Sequence, residues 1–140
     1  MVEFFLHLLP RKLMTLNNVN DSKLLAERIA ELALEMKSDD VKTLNVSNQT
    51  SLTDFFVICT GQTDVQTRAI ADHILDSLAP DEKPMSKEGY DVREWILLDF
   101  VNVVVHVFQK AAHQFYDLEK LWPDAEVKEF FDEEIPFSSN

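Results

Sequence analysis

The chain has 140 residues, 46% hydrophobic and 27% charged, enough to bury the core of one domain without a disulfide or metal staple. Thirteen basic residues against 25 acidic ones leave a net charge of −12, which repels phosphate backbones and anionic membranes but suits a basic protein partner. Two glycines, Gly61 and Gly89, exclude a glycine-rich phosphate cradle; the lone Cys59 excludes an intrachain disulfide or cysteine zinc site and fits a reducing, cytoplasmic setting.

Met1–Leu9 is apolar but broken by Glu3 and His7, and its basic pair, Arg11-Lys12, follows the apolar run instead of preceding it. That order does not fit a secretory signal, and the run is far short of the roughly 20 residues of a membrane span. Residues 1–20 therefore read as a weakly structured extension, with Met14 as an alternative start and a small anchor helix as the second reading, and 21–125 as the domain. Leu25, Ile29, Leu32 and Met36 then mark one face of a helix over 22–37, capped by Asp21 or Ser22. Val41–Val46 reads as a strand. Phe55–Cys59 is apolar on both faces, as a strand covered on both sides would be.

A second helix opens at Thr63, with Gln66 at capping-box spacing, buries Ile70, Ile74 and Leu78, and stops before Pro80. Residues 79–91 read as a polar loop. Glu94–Asp99 and Asn102–Phe108 are too close to be anything but an antiparallel hairpin. With a two-residue loop at Phe100-Val101, Trp95 faces His106 and Asp99 faces Asn102; a three-residue loop pairs Trp95 with Val107. A last helix runs from Lys110 to about Leu121, bounded by Pro123. The order α-β-β-α-β-β-α defines an α/β domain with a mixed β-sheet packed by helices. Residues 117–134 hold eight acidic and two basic side chains, half the net charge, and 126–140 reads as a solvated acidic tail.

Little here suits catalysis. His106 lies among β-branched residues with no second ligand at metal spacing, so a half-buried histidine with one hydrogen bond is the favoured reading. Cys59 sits inside an apolar run, away from any base, and no serine has an elbow context. Asp39-Asp40 and Glu133-Glu134 fall in a loop and the tail, and Asp99 alone cannot hold magnesium. No cofactor or metal is expected. Phe115, Leu118 and Trp122 share a helical face, whereas Tyr116 and Trp122 carry polar handles that suit a boundary. A Trp95, His106 and Asp99 group on one side of the hairpin would suit protein recognition.

Six blocks occur in register: 54–61 (DFFVICTG), 69–72 (AIAD), Glu88-Gly89, 95–99 (WILLD), 104–108 (VVHVF) and 115–122 (FYDLEKLW). Together, over about 22–125, they closely resemble the ribosomal silencing factor, or Iojap, family. The resemblance implies a nucleotidyltransferase-like fold without catalytic acids and a non-enzymatic, cytoplasmic protein. It further implies binding to the large ribosomal subunit through its ribosomal protein fourteen, steric block of small-subunit joining when nutrients are short, and a homodimer when free. It places Trp95, Asp99, His106 and Tyr116 at or beside the contact, with Glu88, Glu119 and Trp122 as further contacts. The chain departs where relatives usually carry Gly-Asp at the hairpin turn: Val101-Asn102 stands there, and because valine resists positive φ the load should pass to Asn102 or the turn change type. Relatives also tend to carry Arg near Ala112-His113, a contact Lys110 could take. A nucleotidyltransferase-fold enzyme and a dimerisation module with another protein partner are the alternatives.

Overall fold

Helix α1 (Val19–Glu35) turns Ala26, Ile29, Ala30, Leu32 and Ala33 inward. In this computed structural model, which describes residues 19–132 except the side chains of 114–116, it starts three residues before the expected point. Most of the 1–20 extension lies outside the described residues. Ser22 does not cap α1 but donates its hydroxyl to Asp54 Oδ2 at 2.8 Å. At the other end Lys37 takes φ 60°, while Lys37 N–H reaches Leu34 O and Ser38 N–H reaches Ala33 O. This double closure satisfies the last carbonyls of the helix.

Strands β1 (Asp39–Asn45), β2 (Phe55–Gly61), β3 (Ser86–Glu88), β4 (Trp95–Asp99), β5 (Val103–Gln109) and β6 (Glu126–Phe130) form one sheet in the order β3-β4-β5-β2-β1-β6. Only β2 and β5 run parallel; the other pairs are antiparallel. Every residue of β2 is buried, as its unbroken apolar run requires. One sheet face, with Phe55, Val57, Cys59, Val103, Val105 and Val107, is covered by α1 and α2 (Asp64–Ser77). Burial pushes the Cys59 thiol up to about 12, leaving it inert.

The opposite face carries Leu44, Val46, Phe56, Ile58, Leu97, Val104, His106 and Phe108. It is covered by the short helix α3 (Lys110–Tyr116), the 3₁₀ turn Leu118–Leu121, Trp95 and Trp122. Helix α3 thus stops at Tyr116, short of the expected Leu121, and Asp117 leaves helical geometry with its N–H on His113 O. The Thr63 cap forms, its Oγ1 accepting from Gln66 N–H at 3.1 Å. Gln66, however, spends its amide elsewhere, on Gln62 N–H and on the Met36 and Lys37 carbonyls just beyond α1.

Two strands escaped the sequence reading. β3 has three polar residues and no alternation; pairing with β4 alone defines it. β6 lies where a solvated tail was expected. Its four leading residues are exposed and mostly charged, as edge strands often are, while Phe130 packs on the core and its backbone pairs with β1.

Candidate functional site

The β4–β5 hairpin pairs Trp95 with Phe108, Leu97 with His106 and Asp99 with Val104. Neither expected register occurs, because the turn centres on Val101-Asn102 rather than Phe100-Val101. Relative to the first register the slip is two residues, and a two-residue slip preserves the face of each side chain. Trp95 therefore still meets His106, along a diagonal: the indole Nε1–H donates to His106 Nδ1 at 2.9 Å. The half-buried indole also lies over Phe108, with ring centroids 4.8 Å apart. Gly89, at φ 90°, permits a close approach here, since a Cβ at that position would collide with the Trp95 carbonyl.

His106 is 0% exposed, and burial first, then the nearby His113, lowers its pKa to about 3. It is a neutral hydrogen-bond acceptor beneath Trp95. Asp99 is likewise 1% exposed, and its Oδ1 accepts from Val101 N–H at 2.8 Å. The exposed Trp/His/Asp group read from the hairpin is thus corrected: only Trp95 reaches the surface, His106 backs it, and Asp99 braces the turn. Val101 itself carries the positive φ, 74°, with Asn102 N–H donating to Phe100 O at 2.9 Å. That is the strained hand of a γ-turn. The expectation that Asn102 would take the load does not hold, because the buried Asn102 carbonyl accepts from both Asp54 and Phe55 N–H and is fixed by them.

Glu88 stands exposed on β3, opposite Leu97. Trp122 packs on Phe56 at 5.6 Å between ring centroids, on the same aromatic face as Trp95. Tyr116 ends α3, and its side chain lies outside the described residues. Glu119 does not stand free: Oε2 accepts from Lys42 Nζ at 2.6 Å and Oε1 lies 3.2 Å from His113 Nε2. Those hydrogen bonds, His113 first, hold its carboxyl well below the usual range. His113 in turn stacks on Phe108 at 5.0 Å and places Nδ1 3.0 Å from Thr60 Oγ1.

Sequence reasoning missed Lys42, Thr60 and the ring contact of His113. One signal was available: Lys42 precedes Leu44 and Val46 at period two, a lone cation on an inward-facing row. Among the described residues no group of three or more His, Cys, Asp or Glu is placed to hold a metal.

The family model described as ribosomal silencing factor during starvation (RsfS) matches residues 19–139. The chain belongs to this family. Its RsfS match runs through β6 and beyond the expected boundary at 125. The ribosomal silencing factors RsfS of Halalkalibacterium halodurans and Bacillus subtilis are 41% and 40% identical over 97 and 100 residues. These alignments cover 68% and 70% of this chain and 82% and 85% of those proteins. The chloroplastic Iojap protein of Zea mays is 32% identical over 100 residues, covering 71% of this chain and 44% of its own length. A Chromobacterium violaceum crystal structure superposes with TM-score 0.68 at 28% identity, covering 86% of this chain and 99% of that one. One from Bacillus halodurans gives 0.62 at 32% identity, covering 79% and 99%.

Proposed function

We propose that this chain is a cytoplasmic translational repressor that binds the large ribosomal subunit through its ribosomal protein fourteen and sterically blocks joining of the small subunit. Membership of a silencing family supports a regulatory role on the ribosome. The carrying observation is Trp95, an indole held at the surface by a buried acceptor and flanked by an aromatic face. Aromatic anchors in such settings dominate interface energies, and about 800 Å² per partner suffices for a specific interface. The net charge of −12 favours a basic ribosomal protein over RNA as the point of contact. Trp122, Tyr116 and Glu88 join Trp95 on the docking side in this reading, and the free protein forms a homodimer.

Co-sedimentation with purified large subunits, followed by a subunit-joining assay, tests the proposal. Binding to large subunits with loss of joining is expected; absence from the large-subunit fraction sinks it. Nucleotide-dependent product formation abolished by Asp99→Ala would replace it with the enzyme reading, although the Asp99 carboxylate is buried and engaged in the turn.

A further inference from the structure

The 3₁₀ turn Leu118–Leu121 that leads into Trp122 is four residues long and has one buried apolar anchor, Leu118. A single turn of this kind has no stability of its own. What fastens it to the sheet is a relay of polar side chains running across β2, α3 and β1. Thr60 Oγ1 meets His113 Nδ1, His113 Nε2 meets Glu119 Oε1, and Lys42 Nζ donates to Glu119 Oε2. Both oxygens of one carboxylate are therefore engaged from opposite sides. The three side chains Lys42, His113 and Glu119 are only 18%, 12% and 24% exposed, so water competes weakly for these bonds. The turn's backbone continues the connection: Trp122 N–H donates to Glu119 O at 3.1 Å, and Ala125 N–H to Trp122 O at 3.1 Å.

We infer that Lys42, His113 and Thr60 are positioning residues for the docking face: Lys42 and His113, the latter seated by Thr60, clamp Glu119, and through it hold Trp122 against Phe56 on the same sheet face as Trp95. The inference rests on the docking role proposed above. It assigns Glu119 a task within the chain rather than on the partner. Removing the Lys42 ammonium leaves a half-buried carboxylate short of one partner, and the turn relaxes toward water. The indole of Trp122 then loses its fixed seat, while Trp95, which shares only Phe108 with the clamp, keeps its bond to His106.

The chain has two tryptophans, so 5-fluorotryptophan labelling gives two fluorine resonances, assigned through Trp95→Phe. In the free protein, Lys42→Met and Glu119→Gln should each shift or broaden the Trp122 resonance more than the Trp95 resonance; Lys42→Arg should preserve both. Each of the first two should weaken binding to purified large subunits roughly tenfold, or about 1.4 kcal/mol. The double variant should be no weaker than either single one, because they act as a unit. An unmoved Trp122 resonance in Lys42→Met and Glu119→Gln overturns the clamp. So do additive losses in the double variant, which would mean separate contacts with the partner. If the wild-type chain itself fails to bind, the docking proposal falls, and the fluorine shifts alone still decide for or against the clamp.

Discussion

The Trp95 indole donates its N–H to Nδ1 of the buried His106, and this one bond fixes which nitrogen of the imidazole carries the proton. With Nδ1 accepting, the neutral ring must be protonated on Nε2, a buried atom with no hydrogen-bond partner among the described residues. A second proton would have to go on Nδ1 and would break the bond to Trp95. Desolvation and the neighbouring His113 together hold the folded-state pKa near 3.

This predicts an acid-sensitive fold. The unfolded chain takes up a proton at this histidine near the usual pKa of about 6.5, and the folded chain does not. Stability is therefore at its full value above about 6.5 and is lost as pH falls toward about 3. The loss from this group is at most about 1.4 kcal/mol per pH unit. Urea unfolding at pH 7.5, 6.0 and 5.0 measures it, and His106→Gln, which keeps an acceptor without a titrating ring, should show a shallower decline. Equal slopes in the two proteins would remove His106 as the cause.

Trp95→Ala separates binding from folding. The indole is half-buried, and its loss forfeits one hydrogen bond and its packing on Phe108. The thermal midpoint should fall by only ~3–5 °C, the effect of about 1 kcal/mol in a domain of this size. Large-subunit binding should weaken by about 2 kcal/mol or more, as for a central aromatic anchor. Loss of a cooperative melting transition would instead make Trp95 a core residue.

Val101→Gly tests the strained turn. Valine at φ 74° has its branched Cβ where the backbone crowds it, whereas glycine adopts the same φ freely. Val101 is half-buried, so some packing is lost on substitution. Relief of strain should win, raising stability by about 0.5–1 kcal/mol in a urea titration with an unchanged m-value. A lower midpoint would mean that the valine's contacts outweigh its backbone cost.

What was legible in the sequence follows the physics of each element. α1 and α2 bury long apolar stripes that helical periodicity reveals, and β2 shows as an unbroken apolar run, so all three were found. The α3 helix was overextended because the 115–122 spacing suits a continuous helix, and nothing in it announces the break at Asp117. The hairpin was found but its register was not, since the register depends on a valine accepting a backbone conformation it ordinarily avoids. β3 and β6 were missed because edge strands need a pairing partner more than they need apolar residues. At the site, Trp95 and His106 were paired on the correct face for a register that does not occur. Glu119 was taken for a surface group because one partner, Lys42, comes from a strand 77 positions away in sequence, and the other, His113, is itself seated by Thr60 on a second distant strand. Such long-range polar contacts leave almost no local trace.

Ending the chain after Ala125 tests whether the last described residues are a strand or a tail. β6 covers the outer edge of β1 through the pairs from Val41–Phe130 to Asn45–Glu126. Its removal also breaks the ion pairs Lys128–Glu27 and Lys37–Asp132, which tie the strand to α1 and the turn after it. Exposed pairs of this kind contribute little, so most of the cost comes from the backbone ladder and the Phe130 contact with the core. Val41, 2% exposed in the full chain, would face water. The expected loss is about 2 kcal/mol or more, read as a lower denaturant midpoint than that of the full-length chain. A solvated tail predicts no change in midpoint at all. Glu129→Gln provides the contrast: this exposed edge position changes the charge but keeps the ladder, and its midpoint should stay with the wild type.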